Sequence, residues 1–359
     1  MKKFTLTVIT AIYILLVIAI ASVFISEFLL KEKPEERFFE VPQVSEPVVA
    51  SAPQEVKKAE PKFIPAPKTE LKYIKGAVIN PRTKNLDYIS AIGDAKKLGT
   101  NLITIALEME VDEKGGIEFS GRPRFDWKSA AIAMINEAHR QGMQVELRTI
   151  AVPDTRQPRN ATGYVNYAGK FFAELGDFAD EYQVYMLTVY ENMEDEHNMG
   201  LYKDSINPAL KVILGNVTKF FSGEIGVGFS DSTHIEEKKL YDISGYDYLI
   251  LNSYPTYNKV AWGELHLRVG ELVQATVPLK KQQGIRRVIL GGFGVNSDKT
   301  PPYYMPLTTT QENEKLSYEK IFEQQANKTD GFTVAYATKV YGVKDRMAEQ
   351  AVKGWYGKL

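Results

Sequence analysis

The chain has 359 residues, a formal net charge of -1 and no cysteine. This balance offers no basic field to a nucleic acid, and the missing cysteine excludes disulfides, thiolate metal sites and a cysteine nucleophile. Its 4 histidines show no H-x-x-x-H or H-E-x-x-H spacing, so no metal is expected, and no motif demands an organic cofactor.

The first element is apolar. After "MKK", residues 4–25 run without a charge, and the apolar character continues to about residue 30. At 1.5 Å per residue, such a helix crosses roughly 30 Å of hydrocarbon. Residues 1–30 therefore read as a single-pass membrane anchor or uncleaved signal, in preference to a signal peptide cut at "AIAS" (19–22), because apolar residues continue beyond that site. With so short a leading tail, the globular part is expected on the extracytoplasmic side. Residues 31–70, "KEKPEERFFEVPQVSEPVVASAPQEVKKAEPKFIPAPKTE", have neither helical nor strand periodicity. Their prolines favour an extended linker.

From residue 71 to 359 short apolar runs alternate with longer amphipathic stretches. The runs are "YIKGAVI" (73–79), "NLITIALEME" (101–110), "MQVELRTIAV" (143–152), "YQVYMLTVYE" (182–191), "EIGVGFSD" (224–231), "YDYLILNSYP" (246–255), "RRVILGGFGV" (286–295) and "GFTVAYATKVYG" (331–342). Helical patterns such as "WKSAAIAMINEAHRQG" and "YVNYAGKFFAELGDFAD" separate them, and "VKDRMAEQAVKGWYG" closes the chain. Eight β/α units in about 290 residues predict a (β/α)8 TIM barrel. A doubly wound open sheet would usually carry a Gly-rich phosphate turn after its first strand, and "VINPRTK" has none.

A barrel builds its site at the carboxyl ends of its strands, and strand residues alternate faces. On the second strand Glu108 shares a face with Thr104 and Ala106. On the third, Glu146 and Arg148 share a face, either as a structural ion pair or as a catalytic acid beside its cation. The fourth strand ends in Glu191 followed by Asn192, and the fifth in Asp231. Asn252 and Tyr254 on the sixth strand, and Tyr336 on the eighth, are candidates for hydrogen bonding or stacking. The catalytic candidates are thus Glu191, Glu108 and Glu146. The binding candidates are Arg148, Asn192, Asp231, Asn252, Tyr254 and Tyr336.

Five fragments carry a further likeness: "AKKLGTNLITI", "INEAHRQGMQVEL", "YDYLILNSYP", "RRVILGGFGV" and "TTTQENEKLSYEKIFEQQANKTDGFTVAYATKVYG". In this order they resemble the large clan of retaining TIM-barrel glycoside hydrolases. The resemblance implies a carbohydrate partner, an acid/base on strand four and a nucleophile on strand seven. Carried over, Glu191 takes the acid/base position, although the clan's preceding Asn is here Tyr190. Gly292, followed by Phe293 and Gly294, stands where the clan has its nucleophile. Gly291 and Gly292 would leave open space beside Glu191. Three readings stay open: a hydrolase drawing a second carboxylate from Glu108, Glu146 or Asp231, a barrel that binds a cell-envelope glycan without cutting it, and a structural envelope protein.

Overall fold

The computed structural model describes residues 63–83, 85–112, 114–120, 125–151, 161–191, 206–230, 241–253, 262–293, 309–338 and 342–359. The predicted anchor, most of the linker, and the candidates Asn192, Asp231 and Tyr254 lie outside them. Among the described residues no helix is long and apolar enough to cross a membrane.

Eight parallel strands form the barrel: β1 (Ile74–Ile79), β2 (Leu102–Val111), β4 (Gln144–Ala151), β5 (Met186–Glu191), β6 (Glu224–Ser230), β7 (Tyr248–Ser253), β8 (Arg287–Phe293) and β9 (Gly331–Ala337). Each pairs with the next around the ring, and β1 pairs with both β2 and β9, so the sheet closes on itself. The short β3 (Ile117–Phe119) is not a barrel strand. It folds back antiparallel on the end of β2 through a turn in which the Asp112 carboxylate accepts the amides of Lys114 and Gly116. Three residues are too few to show an alternation, and the sequence reading missed them.

The helices are α1 (Tyr88–Lys97), α2 (Trp127–Arg140), α3 (Ala161–Glu181), α4 (Ile206–Val217), α5 (Leu265–Gln283), α6 (Gln311–Gln325) and α7 (Met347–Tyr356). Asp87, Asp126 and Thr310 cap the starts of α1, α2 and α6 by accepting otherwise orphaned backbone amides. The outward residues of the strands, such as Ile103, Ile105, Leu147, Val227, Leu249 and Phe332, pack beneath these helices and form the main core. Inside the barrel, Leu71, Ile74, Leu102, Met186, Tyr248, Ile250 and Ile289 make a second apolar cluster. It fills the amino-terminal half, so the interior is a packed plug and not a channel.

Residues 63–70, which the sequence assigns to the linker, lie against the amino-terminal end of the barrel. The amide of Ile64 donates to Asn136, and His139 Nδ1 donates to the Ile64 carbonyl, each at 2.8 Å. Gln144 Nε2 donates to the carbonyls of Pro67 and Thr69, and Arg287 donates to that of Leu71. Leu71 then inserts its side chain into the inner cluster. The compact unit accordingly runs Glu60–Leu359. Backbone carbonyls, which every residue supplies, hold the segment, so its Pro-rich composition conceals the contact.

Candidate functional site in the barrel mouth

The polar site begins where the inner apolar cluster ends. Alternation carries Thr104 of β2, Glu146 and Arg148 of β4, Thr188 of β5 and Thr333 of β9 to the inside. Glu146 is fully buried. Its Oε2 accepts the Thr104 hydroxyl and its Oε1 the Thr188 hydroxyl, each at 2.6 Å. Because Thr188 spends its proton on Glu146, the Tyr248 hydroxyl 2.9 Å away is the donor to Thr188. Burial raises the Tyr248 hydroxyl well above its ordinary range, so it keeps that proton.

Arg148 is 1% exposed and makes a fork with Glu146, at 3.1 Å through Nε and 2.8 Å through Nη2. Nη2 also donates to Thr333 and Nη1 to the carbonyl of Gly291. The Glu146–Arg148 pairing anticipated as a structural ion pair is therefore present, with each Glu146 oxygen also accepting a threonine hydroxyl.

Glu191 reaches the interior by a bulge. Met186 and Thr188 face in, while Leu187 and Val189 face the helices, so strict alternation would turn Glu191 outward. Between the pairs Thr188↔Gly226 and Glu191↔Gly228, however, β5 spends one residue more than β6. That extra residue flips the register and brings the carboxyl inside, 4% exposed. Oε1 accepts Asn252 Nδ2 at 3.0 Å, and Oε2 lies 3.4 Å from Arg148 Nε. Gly228 makes room for it: a Cβ there would stand 2.9 Å from Glu191 Cγ. Burial is the largest influence on the Glu191 carboxyl and pushes its pKa up to about 7. Arg148 pulls against that rise, Glu146 adds to it and Asn252 opposes it.

The glycine pair of β8 sits in a second bulge, since Leu251 pairs with Leu290 but Asn252 with Gly292. The space anticipated at Gly291 is absent. A Cβ there would stand 1.9 Å from Ile250 Cγ2 and 3.1 Å from Arg148 Nη1, so packed neighbours occupy it. Gly291→Ala should overpack the site and cost about 1–3 kcal/mol in urea unfolding. An unchanged midpoint would show that the bulge relaxes freely.

Glu108 also faces inward, on the face of Thr104 and Ala106, but nearer the rim. Its side chain is 26% exposed, accepts Asn80 Nδ2 at 2.6 Å and pairs with Arg82 at 2.5 Å. Like Glu191, it lies toward the carboxyl end of its strand. Glu108 pairs with Ile150, two residues past Arg148, and Arg148 pairs with Thr188, one bulged step before Glu191. Two strand spacings separate β2 from β5, placing the two backbones about 10 Å apart.

The structure thus joins Glu191, Asn252, Arg148 and Glu146 in one network and holds Glu108 in a neighbouring cluster. Tyr336 belongs to neither. On β9 Thr333 faces in, so Tyr336 faces the helices, where its hydroxyl donates to Glu349 of α7 at 2.8 Å. Its expected place in the mouth is corrected accordingly. Sequence reasoning missed Asn80 and Arg82, which lie in a loop without periodicity, and the threonines that saturate Glu146. Among the described residues no three histidine, aspartate or glutamate side chains are grouped to hold a metal ion.

Neither a family model nor a curated protein matches the sequence. Solved structures do match the fold. A GH113 β-1,4-mannanase superposes with a TM-score of 0.62 at 15% identity, over 80% of this chain and 100% of that one. The GH113 β-mannanase AaManA from Alicyclobacillus acidocaldarius gives 0.60 at 14% identity, over 80% and 98%. A GH2 β-galacturonidase from Eisenbergiella tayi gives 0.53 at 14% identity, over 82% of this chain and 54% of the enzyme. At these identities the likeness shows the fold alone, a TIM barrel like that of these glycoside hydrolases.

Proposed function

We propose that this chain hydrolyses an oligo- or polysaccharide, with Glu191 as general acid and Glu108 as general base, and with inversion at the anomeric carbon. The carrying observation is the pair itself: two inward carboxyl groups toward the carboxyl ends of β2 and β5, in opposite surroundings. Glu191 is buried, with its pKa raised to about 7, and so holds a proton to give at neutral pH. Glu108 is paired with Arg82 at the partly exposed rim, where water can reach it. Inverting glycosidases separate their carboxyl groups by roughly 6.5–9.5 Å to admit a water, and side chains reaching inward from backbones about 10 Å apart suit that range. The glycines of β8 supply no nucleophile, and Glu146 is saturated by three partners, so neither offers the covalent route.

In this reaction the glycosidic C–O bond breaks as Glu191 gives its proton to the departing oxygen. Glu108 removes a proton from the water whose oxygen bonds to the anomeric carbon. Afterwards Glu191 is ionised and Glu108 protonated, and exchange with solvent restores both. The test is a panel of β-linked glycans, β-1,4-mannan included because of the mannanase likeness, assayed with wild type, Glu108→Gln and Glu191→Gln. Loss of hydrolysis in both variants supports the pair, whereas full activity in either removes that residue from it.

The β8 glycines favour a second reading, in which the mouth binds a glycan without cleaving it. Saturable binding with no hydrolysis in wild type selects that reading. We further propose that the apolar run at 4–25 tethers the domain to a membrane, extracytoplasmic side out. The full chain should then stay in the membrane pellet through salt and alkaline washes and leave it with detergent. Release by alkaline wash alone contradicts the anchor.

A further inference from the structure

Three ionisable side chains are stacked inside the barrel almost out of reach of water: Glu146, Arg148 and Glu191. One cation stands between two carboxyl groups, with Arg148 Nε 3.1 Å from Glu146 Oε1 and 3.4 Å from Glu191 Oε2. The two acids are not equally served. Glu146 receives a two-pronged bond from Arg148 and a threonine hydroxyl on each oxygen. Glu191 receives one amide hydrogen bond from Asn252, and its Oε2 accepts no hydrogen bond among the described residues.

Charge counting then decides which acid ionises. One buried cation compensates one buried anion, and a second anion would stand uncompensated in a low dielectric. The better-solvated acid takes the charge, which is Glu146.

The other elements packed around Glu191 add no charge among the described residues. Gly228 comes from β6, Asn252 from β7 and Gly291 from β8. Tyr248 reaches the network through Thr188 as a neutral hydroxyl, and Thr333 meets Arg148. Arg148 and Glu146 are therefore the two charges nearest Glu191, and the Glu108–Arg82 pair lies beyond them at the rim.

We propose that Glu146 is a positioning residue of this site. By engaging Arg148 it withholds that cation from Glu191, and so keeps Glu191 as the acid that carries the proton. Its catalytic consequence rests on the reading of Glu191 as general acid, but its physical content does not need turnover. Removing Glu146 leaves Arg148 with Glu191 as its only carboxylate partner in the network, which favours the ionised form of Glu191.

The test follows the infrared carbonyl band of protonated carboxyl groups against pH in the full chain carrying 13C-labelled glutamate. Wild type should show a buried band that disappears with a midpoint near 7, and Glu191→Gln should lack it. In Glu146→Gln that midpoint should fall by about one unit or more, a tenfold or greater loss of proton affinity. An unmoved midpoint in folded Glu146→Gln overturns the proposal. Should that variant not fold, wild type still decides: a Glu191 already ionised at pH 6 overturns it equally. If the midpoint moves but no glycan is hydrolysed, the general-acid reading fails and the coupling stands. If hydrolysis occurs and the midpoint does not move, the coupling fails alone.

Discussion

Glu191→Gln should lower hydrolysis by about 10²–10⁴-fold, the usual contribution of a general acid. The variant keeps the side chain's shape and an oxygen for Asn252 but has no proton to give. In wild type, activity should fall as pH rises through about 7, where Glu191 loses its proton. The stability of the same variant carries a second signature. Glu191 has a folded pKa of about 7 against an ordinary value of 4.5, so between those values the native state binds the extra proton. Stability from this group is complete below 4.5 and declines as pH rises to 7. At 1.36 kcal/mol per unit the loss is on the order of 3 kcal/mol. Glutamine does not titrate, so urea midpoints at pH 8 should place Glu191→Gln level with wild type or above it. A variant clearly weaker than wild type at pH 8 would mean that the ionised carboxylate is not costly where it sits.

Arg148→Met should be among the most damaging single changes to the fold. It leaves Glu146 buried with two threonine hydroxyls and no cation, and it removes the donor to Thr333, while the Gly291 carbonyl keeps only the Thr333 hydroxyl. Breaking one side of a buried pair costs roughly 3–5 kcal/mol. The cost should shrink at pH 4, where the stranded carboxyl groups can take up protons. Arg148→Lys should fall between, because an ammonium cannot reproduce the fork onto Glu146. A loss under about 1 kcal/mol at pH 7 would show that the network tolerates an uncompensated buried charge, against the charge counting above.

The barrel was legible in the sequence because its strands face an apolar layer on the helix side, and that face repeats every second residue. The main departures lie where the period breaks. Glu191 was picked for its place after an apolar run and does face the mouth, but only through a bulge that no alternation reveals. Gly291 read as empty space because a glycine carries no side chain, yet Ile250 and Arg148 fill the volume. Tyr336 was given the wrong face because the inward parity of β9 is set at Thr333, by its contact with Arg148. Pairing within β4 was readable from Glu146 and Arg148 two residues apart. The saturation of Glu146 was not, because Thr104 and Thr188 come from strands far away in sequence.

In the proposed reaction two carboxyl groups act on one sugar ring without a covalent intermediate. The anomeric form of the first product, read by proton NMR before mutarotation, tests it most directly. Wild type should release a sugar of inverted configuration, and Glu191→Gln should release almost none. A product of retained configuration would contradict the account, because it requires a nucleophile that β8 does not provide.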